Sequence, residues 1–262
     1  MSQDRVLPLE GVHNFRDFGG YPVAGGGRLK RGLLWRSGQH HGASDVDLAR
    51  IAKLDLADIF DLRSSKEREL HPCRRPPGFS GRVHIGEDPA GIAAPHVAAA
   101  ATTRQRDAAS TREGMRRNYG MIAFRPELIA MTRRYLGVLA EGRGPSLVNC
   151  MAGKDRTGIA VAMVQLAAGV HRDDVLADYV LTNTAGDVEA RIAAGAETIK
   201  AVARQMNPEI LRVIMGVEPE YLESAFVTIA EKHGSVDGYL RKVLGVDDAL
   251  RGRIRDALVQ GR

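Results

Sequence analysis

One continuous segment carries the signals of a strand, a loop and a helix: Ser146-Leu147-Val148-Asn149-Cys150-Met151-Ala152-Gly153-Lys154-Asp155-Arg156-Thr157-Gly158-Ile159-Ala160. Leu147 and Val148 form an apolar pair after Gly144-Pro145, which is too short for a helix and favours a strand. Residues 158–168 are mostly apolar helix formers and are followed by Gly169, a typical helix terminator. The segment therefore predicts a strand, then a loop, then a buried helix.

The loop contains residue types that bind an oxyanion and activate a thiol. Backbone N–H groups of residues 151–156 can curl into a nest at the helix N-terminus, which attracts an anion. Cys150 lies at the rim of this nest, where the amide dipoles and the Arg156 guanidinium favour the thiolate. Gly153 permits close approach of the backbone, and the Thr157 hydroxyl can donate a hydrogen bond to the sulfur. We predict a nucleophilic Cys150 and a phosphate site formed by Met151, Ala152, Gly153, Lys154, Arg156 and Thr157.

The pattern of a cysteine, five residues, an arginine and a threonine resembles the protein tyrosine phosphatase superfamily. The lysine and aspartate inside the loop resemble one subfamily, the bacterial tyrosine and phosphoinositide phosphatases, which has a secreted mycobacterial member. Segments 14–21, 34–38, 61–64 and 234–240 look like landmarks of that subfamily in the same order. One position differs, since Asn149 stands where the family usually has histidine.

The resemblance covers nearly the whole chain and implies an α/β protein tyrosine phosphatase fold. Its central sheet is mostly parallel and flanked by helices. In the subfamily, helices after the landmark at residues 179–183 form a lid over the active site, which places a helical lid at residues 184–217. We expect one domain over residues 1–262, with a mobile insertion at residues 86–114, where the sequence shows little periodicity.

The resemblance also suggests which residue is the general acid. The superfamily often uses an aspartate on a mobile loop, whereas the subfamily carries its candidate inside the phosphate loop, here Asp155. Asp61 is a second candidate, because it ends a predicted strand at residues 56–62 and function in open α/β sheets gathers at carboxyl ends of strands. A structural ion pair between Asp61 and Arg63 is the alternative interpretation, and both stay open at this point.

Composition excludes several other classes of protein. The 262 residues are 44% hydrophobic, carry a formal charge of +5 and are only 5% aromatic. This charge suits anionic substrates but is modest for nucleic-acid binding, and base-stacking platforms are not expected. Two cysteines, Cys73 and Cys150, are too few for a disulfide framework. We find no standard signal peptide or integral membrane segment and expect a cytoplasmic protein, although non-standard export leaves no such signal.

The histidines and glycines offer no rival site. The eight histidines show no His-Glu-x-x-His or comparable ligand spacing, so no metal or other cofactor is expected. The run Gly25-Gly26-Gly27 matches neither a dinucleotide-binding nor a Walker pattern and predicts a hairpin tip.

An arginine-rich part of the chain bears on the substrate. Its members are Arg104, Arg106, Arg112, Arg116, Arg117, Arg125, Arg133 and Arg134. They suit a phosphorylated partner or peripheral contact with anionic lipid headgroups, while a solvated charged face is the simpler interpretation.

Taken together, the sequence predicts a metal-independent cysteine phosphatase that hydrolyses phosphomonoesters, foremost protein phosphotyrosine, through a cysteinyl-phosphate intermediate. A phosphoinositide or inositol phosphate phosphatase is the alternative enzyme. A catalytically silent phosphate-binding module is the alternative of another class, because Asn149 replaces the usual histidine.

Overall fold

A five-stranded sheet forms the centre of the computed structural model, which describes residues 3–87, 107–187, 189 and 207–261. Its strands are β1 (Arg16–Asp17), β3 (Leu34–Ser37), β4 (Asp58–Asp61), β5 (Arg82–Ile85) and β6 (Ser146–Asn149). The spatial order is β1-β3-β6-β4-β5, with β1 antiparallel to β3 and all other pairs parallel. A separate antiparallel pair joins β2 (Arg28–Leu29) to β7 (Val259–Gln260). The predicted α/β fold with a mostly parallel sheet is confirmed.

Helices precede, connect and follow the strands. They are α1 (Asp45–Ala52), α2 (Ser65–Leu70), α3 (Ala108–Ile122), α4 (Pro126–Leu139), α5 (Asp155–Ala168), α6 (Arg172–Val180), α7 (Thr182–Ala185), α8 (Pro208–Met215), α9 (Pro219–His233), α10 (Val236–Lys242) and α11 (Asp248–Leu258).

Helix α5 is the central helix of the core. Nearly all of its residues are buried, which explains why its sequence shows an apolar run rather than an amphipathic stripe. It ends where Gly169 adopts a left-handed conformation with φ of 98°. On its side of the sheet it packs against α4, α6 and α11, and a smaller apolar cluster under α1 covers the other face. The sheet and α5 therefore hold the segment between β6 and α5 on a rigid base.

The structure describes only part of each of two predicted segments. The predicted insertion at residues 86–114 includes the beginning of α3, which starts at Ala108 behind an N-cap at Asp107, and residues 88–106 lie outside the described residues. The predicted lid at residues 184–217 contains α8, while residues 188 and 190–206 also lie outside them. In the part of the chain that the structure describes, no helix is both long and apolar enough to cross a bilayer. Cys73 and Cys150 are both free thiols.

Candidate active site

Cys150 lies at the carboxyl edge of the sheet, directly after β6. The last residue of β6, Asn149, is in register with Ser37 of β3 and Asp61 of β4. Cys150 is only 2% exposed. Helix α5 begins five residues later, at Asp155, so the loop at residues 150–154 connects a central strand to the N-terminus of the most buried helix. This is the arrangement that the sequence predicts.

Gly153 fixes the path of this loop. Its φ is 65°, a left-handed conformation that glycine adopts without strain. A Cβ at this position would lie 2.3 Å from the carbonyl carbon and oxygen of Ser37. The loop therefore packs against the end of β3 at van der Waals distance, and any side chain at position 153 would push it away.

The carbonyl groups of the loop are bound from outside. The Met151 carbonyl accepts a hydrogen bond from the Gln39 N–H at 3.0 Å. The Gly153 carbonyl accepts one from Asn14 Nδ2 at 2.7 Å and another from Arg36 Nη2 at 3.0 Å. In a trans peptide the C=O and the following N–H point in opposite directions. The N–H groups after these carbonyls therefore face the inside of the loop, as an anion nest requires.

Arg156 uses one edge of its guanidinium to bind Glu67. Nη1 and Nη2 donate to the two Glu67 carboxylate oxygens at 2.7 and 2.8 Å, and Nη1 also donates to the Leu62 carbonyl at 3.0 Å. Nε is buried and has no hydrogen-bond partner among the described residues. The guanidinium has five N–H donors. The N–H on Nε and the second N–H on Nη2 remain unpaired, and both lie along the side edge of the guanidinium plane. Arg156 thus presents an unpaired fork suited to two oxygens of a phosphate.

The charges around Arg156 reinforce its ionised state. Burial alone would lower the pKa of Arg156, but the hydrogen bonds to Glu67 and the negative charge of the Cys150 thiolate raise it above its ordinary value.

Glu67 is a site residue that the sequence analysis missed. It is the third residue of α2 and forms a capping box with Ser64, whose hydroxyl accepts from the Glu67 N–H and whose own N–H donates to Glu67 Oε2. The pattern Ser64-x-x-Glu67 is visible in the sequence as a helix start. Its second role, holding Arg156 from a position 89 residues earlier in the chain, is not visible there.

Thr157 does not play its predicted part. Its hydroxyl oxygen is buried and makes no hydrogen bond among residues 3–87, 107–187 and 207–261, so the predicted bond to the Cys150 sulfur is wrong for this conformation. The side chain is completely buried in the first turn of α5.

Asp155 is held by a pair of tyrosines that the sequence analysis also missed. The Tyr119 hydroxyl donates to Asp155 Oδ1 at 2.7 Å, and the Tyr179 hydroxyl donates to Tyr119 at 2.6 Å. Burial, reinforced by the Asp155 carboxylate, raises the pKa of Tyr119 and Tyr179 well above the ordinary value. Both phenols therefore stay protonated and act as donors, which orients the carboxyl group at the start of α5.

Lys154 is placed differently from the prediction. Its ammonium donates to the carbonyls of Ile214 and Gly216 at 2.5 and 3.2 Å, at the C-terminal end of α8, and lies 3.4 Å from Asp155 Oδ1. A cation is favourable at this end of a helix. In this structure Lys154 therefore ties the loop to α8, and binding a phosphate would require it to leave those carbonyls.

Asp61 is engaged in an ion pair. Arg63 donates from Nε to Asp61 Oδ1 at 2.8 Å and from Nη2 to Oδ2 at 2.7 Å, and both side chains are 2% exposed. Asn149 Nδ2 lies 3.4 Å from Asp61 Oδ1, so the asparagine side chain points to the neighbouring strand. This geometry favours the structural interpretation of Asp61 over a catalytic one.

Most of the predicted arginine surface is paired. Arg112 binds Glu209 and Glu218, while Arg116 and Arg117 both bind Glu113. Arg133 donates to the Val243 carbonyl, and Arg104 and Arg106 lie outside the described residues. Such pairs belong to a solvated face rather than to an anion-binding surface.

Arg125 and the exposed Arg134 are the exceptions in this group. The half-buried Arg125 guanidinium makes no hydrogen bond or ion pair with the described residues, and it borders a pocket that also includes Leu62, Leu128 and Arg156. Burial, together with the positive charge of Arg156, lowers the pKa of Arg125. The described residues contain no cluster of three or more His, Cys, Asp or Glu side chains that could hold a metal ion.

Comparisons with known proteins cover nearly the whole chain. A tyrosine phosphatase family model matches residues 7–260. The chain is 32% identical over 283 aligned residues to the triple specificity protein phosphatase PtpB of Mycobacterium tuberculosis, covering 97% of this chain and 99% of that protein. It is 34% identical over 256 residues to a putative tyrosine-protein phosphatase of Cupriavidus necator, covering 94% and 87%.

Proposed function

Because the chain belongs to the tyrosine phosphatase family, we propose that it is a metal-independent cysteine phosphatase with Cys150 as its nucleophile. One observation carries this proposal: a buried cysteine precedes a nest of N–H groups, beside an arginine whose side edge is unpaired. These are the parts that an in-line displacement at phosphorus requires.

In the first step the Cys150 thiolate attacks phosphorus. A phosphorus–sulfur bond forms while the bond from phosphorus to the leaving oxygen breaks. The loop N–H groups and the side edge of Arg156 hold the three equatorial oxygens, whose charge is stabilised through positioning rather than covalent chemistry. Glu67 keeps the Arg156 plane fixed during the reaction.

Asp155 is the proposed general acid and base. It protonates the leaving oxygen in the first step, then removes a proton from the water that hydrolyses the cysteinyl phosphate. The hydrogen bond from Tyr119 supports this role because it orients one carboxyl oxygen and leaves the group at the N-terminus of α5, close to the phosphate loop. Asp61 remains the second candidate, with its ion pair to Arg63 arguing against it.

Protein phosphotyrosine is the proposed substrate class. The pocket beside Arg156 has apolar walls at Leu62, Leu128 and Met131, which suit an aromatic ring. The unpaired Arg125 on the same pocket supports the alternative, a phosphoinositide, because a second phosphate would neutralise it. Ranking kcat/KM for phosphotyrosine peptides against mono- and bisphosphorylated phosphoinositides, in wild type and Arg125→Gln, separates these substrates.

Turnover of an aryl phosphate in the presence of a chelator tests the reaction. We expect activity in wild type and in Cys73→Ser, the matched cysteine control, and none in Cys150→Ser, because a serine hydroxyl is a far poorer nucleophile at neutral pH. Acid-quenched wild-type enzyme should carry phosphate on Cys150 in peptide mass spectra. Wild-type protein that binds phosphate without any turnover would identify a silent binding module instead.

A further inference from the structure

Behind the phosphate loop lies a buried cluster of charges, formed by Arg16, Arg36 and Asp178, whose side chains are at most 1% exposed. Arg36 Nη1 donates to Asp178 Oδ2 at 2.9 Å. Arg16 Nη2 lies 3.6 Å from the same oxygen and donates to the Asp178 carbonyl at 2.8 Å. The cluster thereby joins β1, β3 and α6.

The cluster reaches the loop directly through Arg36 and indirectly through Arg16, which donates to Asn14 Oδ1. Arg36 Nη2 donates to the Gly153 carbonyl at 3.0 Å, beside the neutral donor Asn14 Nδ2 at 2.7 Å. A cationic donor on a carbonyl polarises the whole peptide group, which strengthens the N–H on its other side. Here that N–H belongs to Lys154 and faces the inside of the loop.

The cluster also carries one positive charge in excess, because two guanidinium groups share one carboxylate. Burial, together with the charge of Arg36, lowers the pKa of Arg16 only to about 9, so Arg16 keeps its charge at neutral pH. Tyr21, 3.5 Å from Asp178 Oδ1, adds no charge, since burial raises the pKa of its phenol. At the site itself, Glu67 balances Arg156.

We propose that Arg36 is a positioning residue of the phosphatase site, which orients the Gly153 carbonyl and, with Arg16 and Asp178, places an uncompensated positive charge behind the loop to favour the bound phosphate dianion. The inference rests on the proposed function. Charges act over longer distances in a buried environment than in water, so the cluster stabilises the anion without touching it.

Calorimetric titration with inorganic phosphate tests this, because it needs no turnover. Arg36→Met removes the charge and the hydrogen bond at similar volume. Asn14→Gly removes the neutral hydrogen bond to the same carbonyl and one acceptor of Arg16, keeps every charge of the cluster, and tolerates the φ of 60° at that position. Arg36→Lys keeps the charge but loses the forked geometry. Thermal unfolding of each variant reports whether it is folded.

We expect phosphate to bind at least about tenfold more weakly to Arg36→Met, but within about threefold of wild type to Asn14→Gly and Arg36→Lys. Equal losses of phosphate affinity in Arg36→Met and Asn14→Gly would overturn the inference, because the orientation of the Gly153 carbonyl alone would then explain both losses. If Arg36→Met does not fold, Arg36→Lys provides the test. A loss of phosphate affinity in Arg36→Lys that exceeds the loss in Asn14→Gly overturns the inference. Wild-type protein that binds no phosphate would overturn the proposed function as well.

Discussion

The guanidinium of Arg156 shows how one residue serves two purposes. Its end edge is fixed by Glu67, and its side edge remains for an oxyanion. The orientation of the side edge therefore depends on the contact that Glu67 makes with the end edge, because both edges belong to one rigid plane.

Glu67→Gln tests this dependence. Glutamine has a single acceptor oxygen and no charge, so it cannot pair with both Nη groups of Arg156. We expect kcat/KM for an aryl phosphate to fall at least about tenfold, equivalent to about 1.4 kcal/mol of barrier. Glu69→Gln, an exposed position on the same helix, serves as the control and should match wild type. Equal activity of both variants would show that Arg156 needs no such support.

Asp155 and Asp61 can be separated by the leaving group. A substrate with a poor leaving group needs protonation, whereas a nitrophenolate leaves without it. We therefore expect Asp155→Asn to reduce kcat for phenyl phosphate much more than for p-nitrophenyl phosphate, with Asp61→Asn affecting both substrates equally. If Asp61→Asn shows the leaving-group dependence and Asp155→Asn does not, the two roles must be exchanged.

At the scale of elements, the phosphate loop depends on its contact with β3. Gly153→Ala combines a left-handed backbone with a Cβ 2.3 Å from Ser37, whereas Gly26→Ala has a similar φ of 94° and nothing within 4 Å. Gly26→Ala therefore measures the conformational cost alone, roughly 1 to 2 kcal/mol. We expect Gly153→Ala to lose more stability in urea unfolding and to lose phosphate binding, which Gly26→Ala retains. Similar stability and binding in the two variants would refute the close packing.

Elements and site residues close together in the chain could be predicted from the sequence. The segment from β6 to α5 is contiguous, so residue types and spacing suffice to place Cys150 and Gly153 in one loop and Arg156 in the first turn of the helix that follows. The capping residue Ser44 likewise marks the start of α1. Helix α3 was not predicted, because its polar first turns hide the apolar spacing of its second half.

Residues that act on the loop from elsewhere could not be predicted. Glu67, Tyr119 and Asp178 come from three different helices, and their contacts with Arg156, Asp155 and Arg36 depend on how those helices pack. Sequence spacing carries no information on such tertiary contacts. The contact of Lys154 with α8 could not be predicted for the same reason, because the acceptor of its ammonium group lies in that distant helix.

At the scale of the whole molecule, net charge says little about the site. The chain carries a formal charge of +5, yet Arg112, Arg116 and Arg117 of the predicted basic surface are paired with nearby carboxylates. The groups proposed to act on phosphate are few and local: the side edge of Arg156, the half-buried Arg125 and the cluster behind the loop. Under this proposal, anion binding follows from the placement of charges rather than from the total charge.

Acid stability of the molecule follows from two carboxylates that join distant segments. Burial alone would raise the pKa of Glu67, but the hydrogen bonds from Arg156 lower it. Burial would likewise raise the pKa of Asp47, but the N–H groups of Gly11, Glu10 and Ser44 lower it. A lowered pKa in the folded state means that the stabilisation is present above the unfolded values of 4.5 and 3.8, and is lost as the pH falls below them.

We therefore expect the free energy of unfolding, measured with urea, to decrease as the pH is lowered from 7 through the ordinary pKa values of Glu67 and Asp47. In the double variant Glu67→Gln, Asp47→Asn, stability at pH 7 should be lower and its decrease on acidification smaller, because neither side chain can then take up a proton. Glu69→Gln should follow the wild-type curve. A double variant that loses as much stability on acidification as wild type would place the acid-sensitive groups elsewhere in the chain.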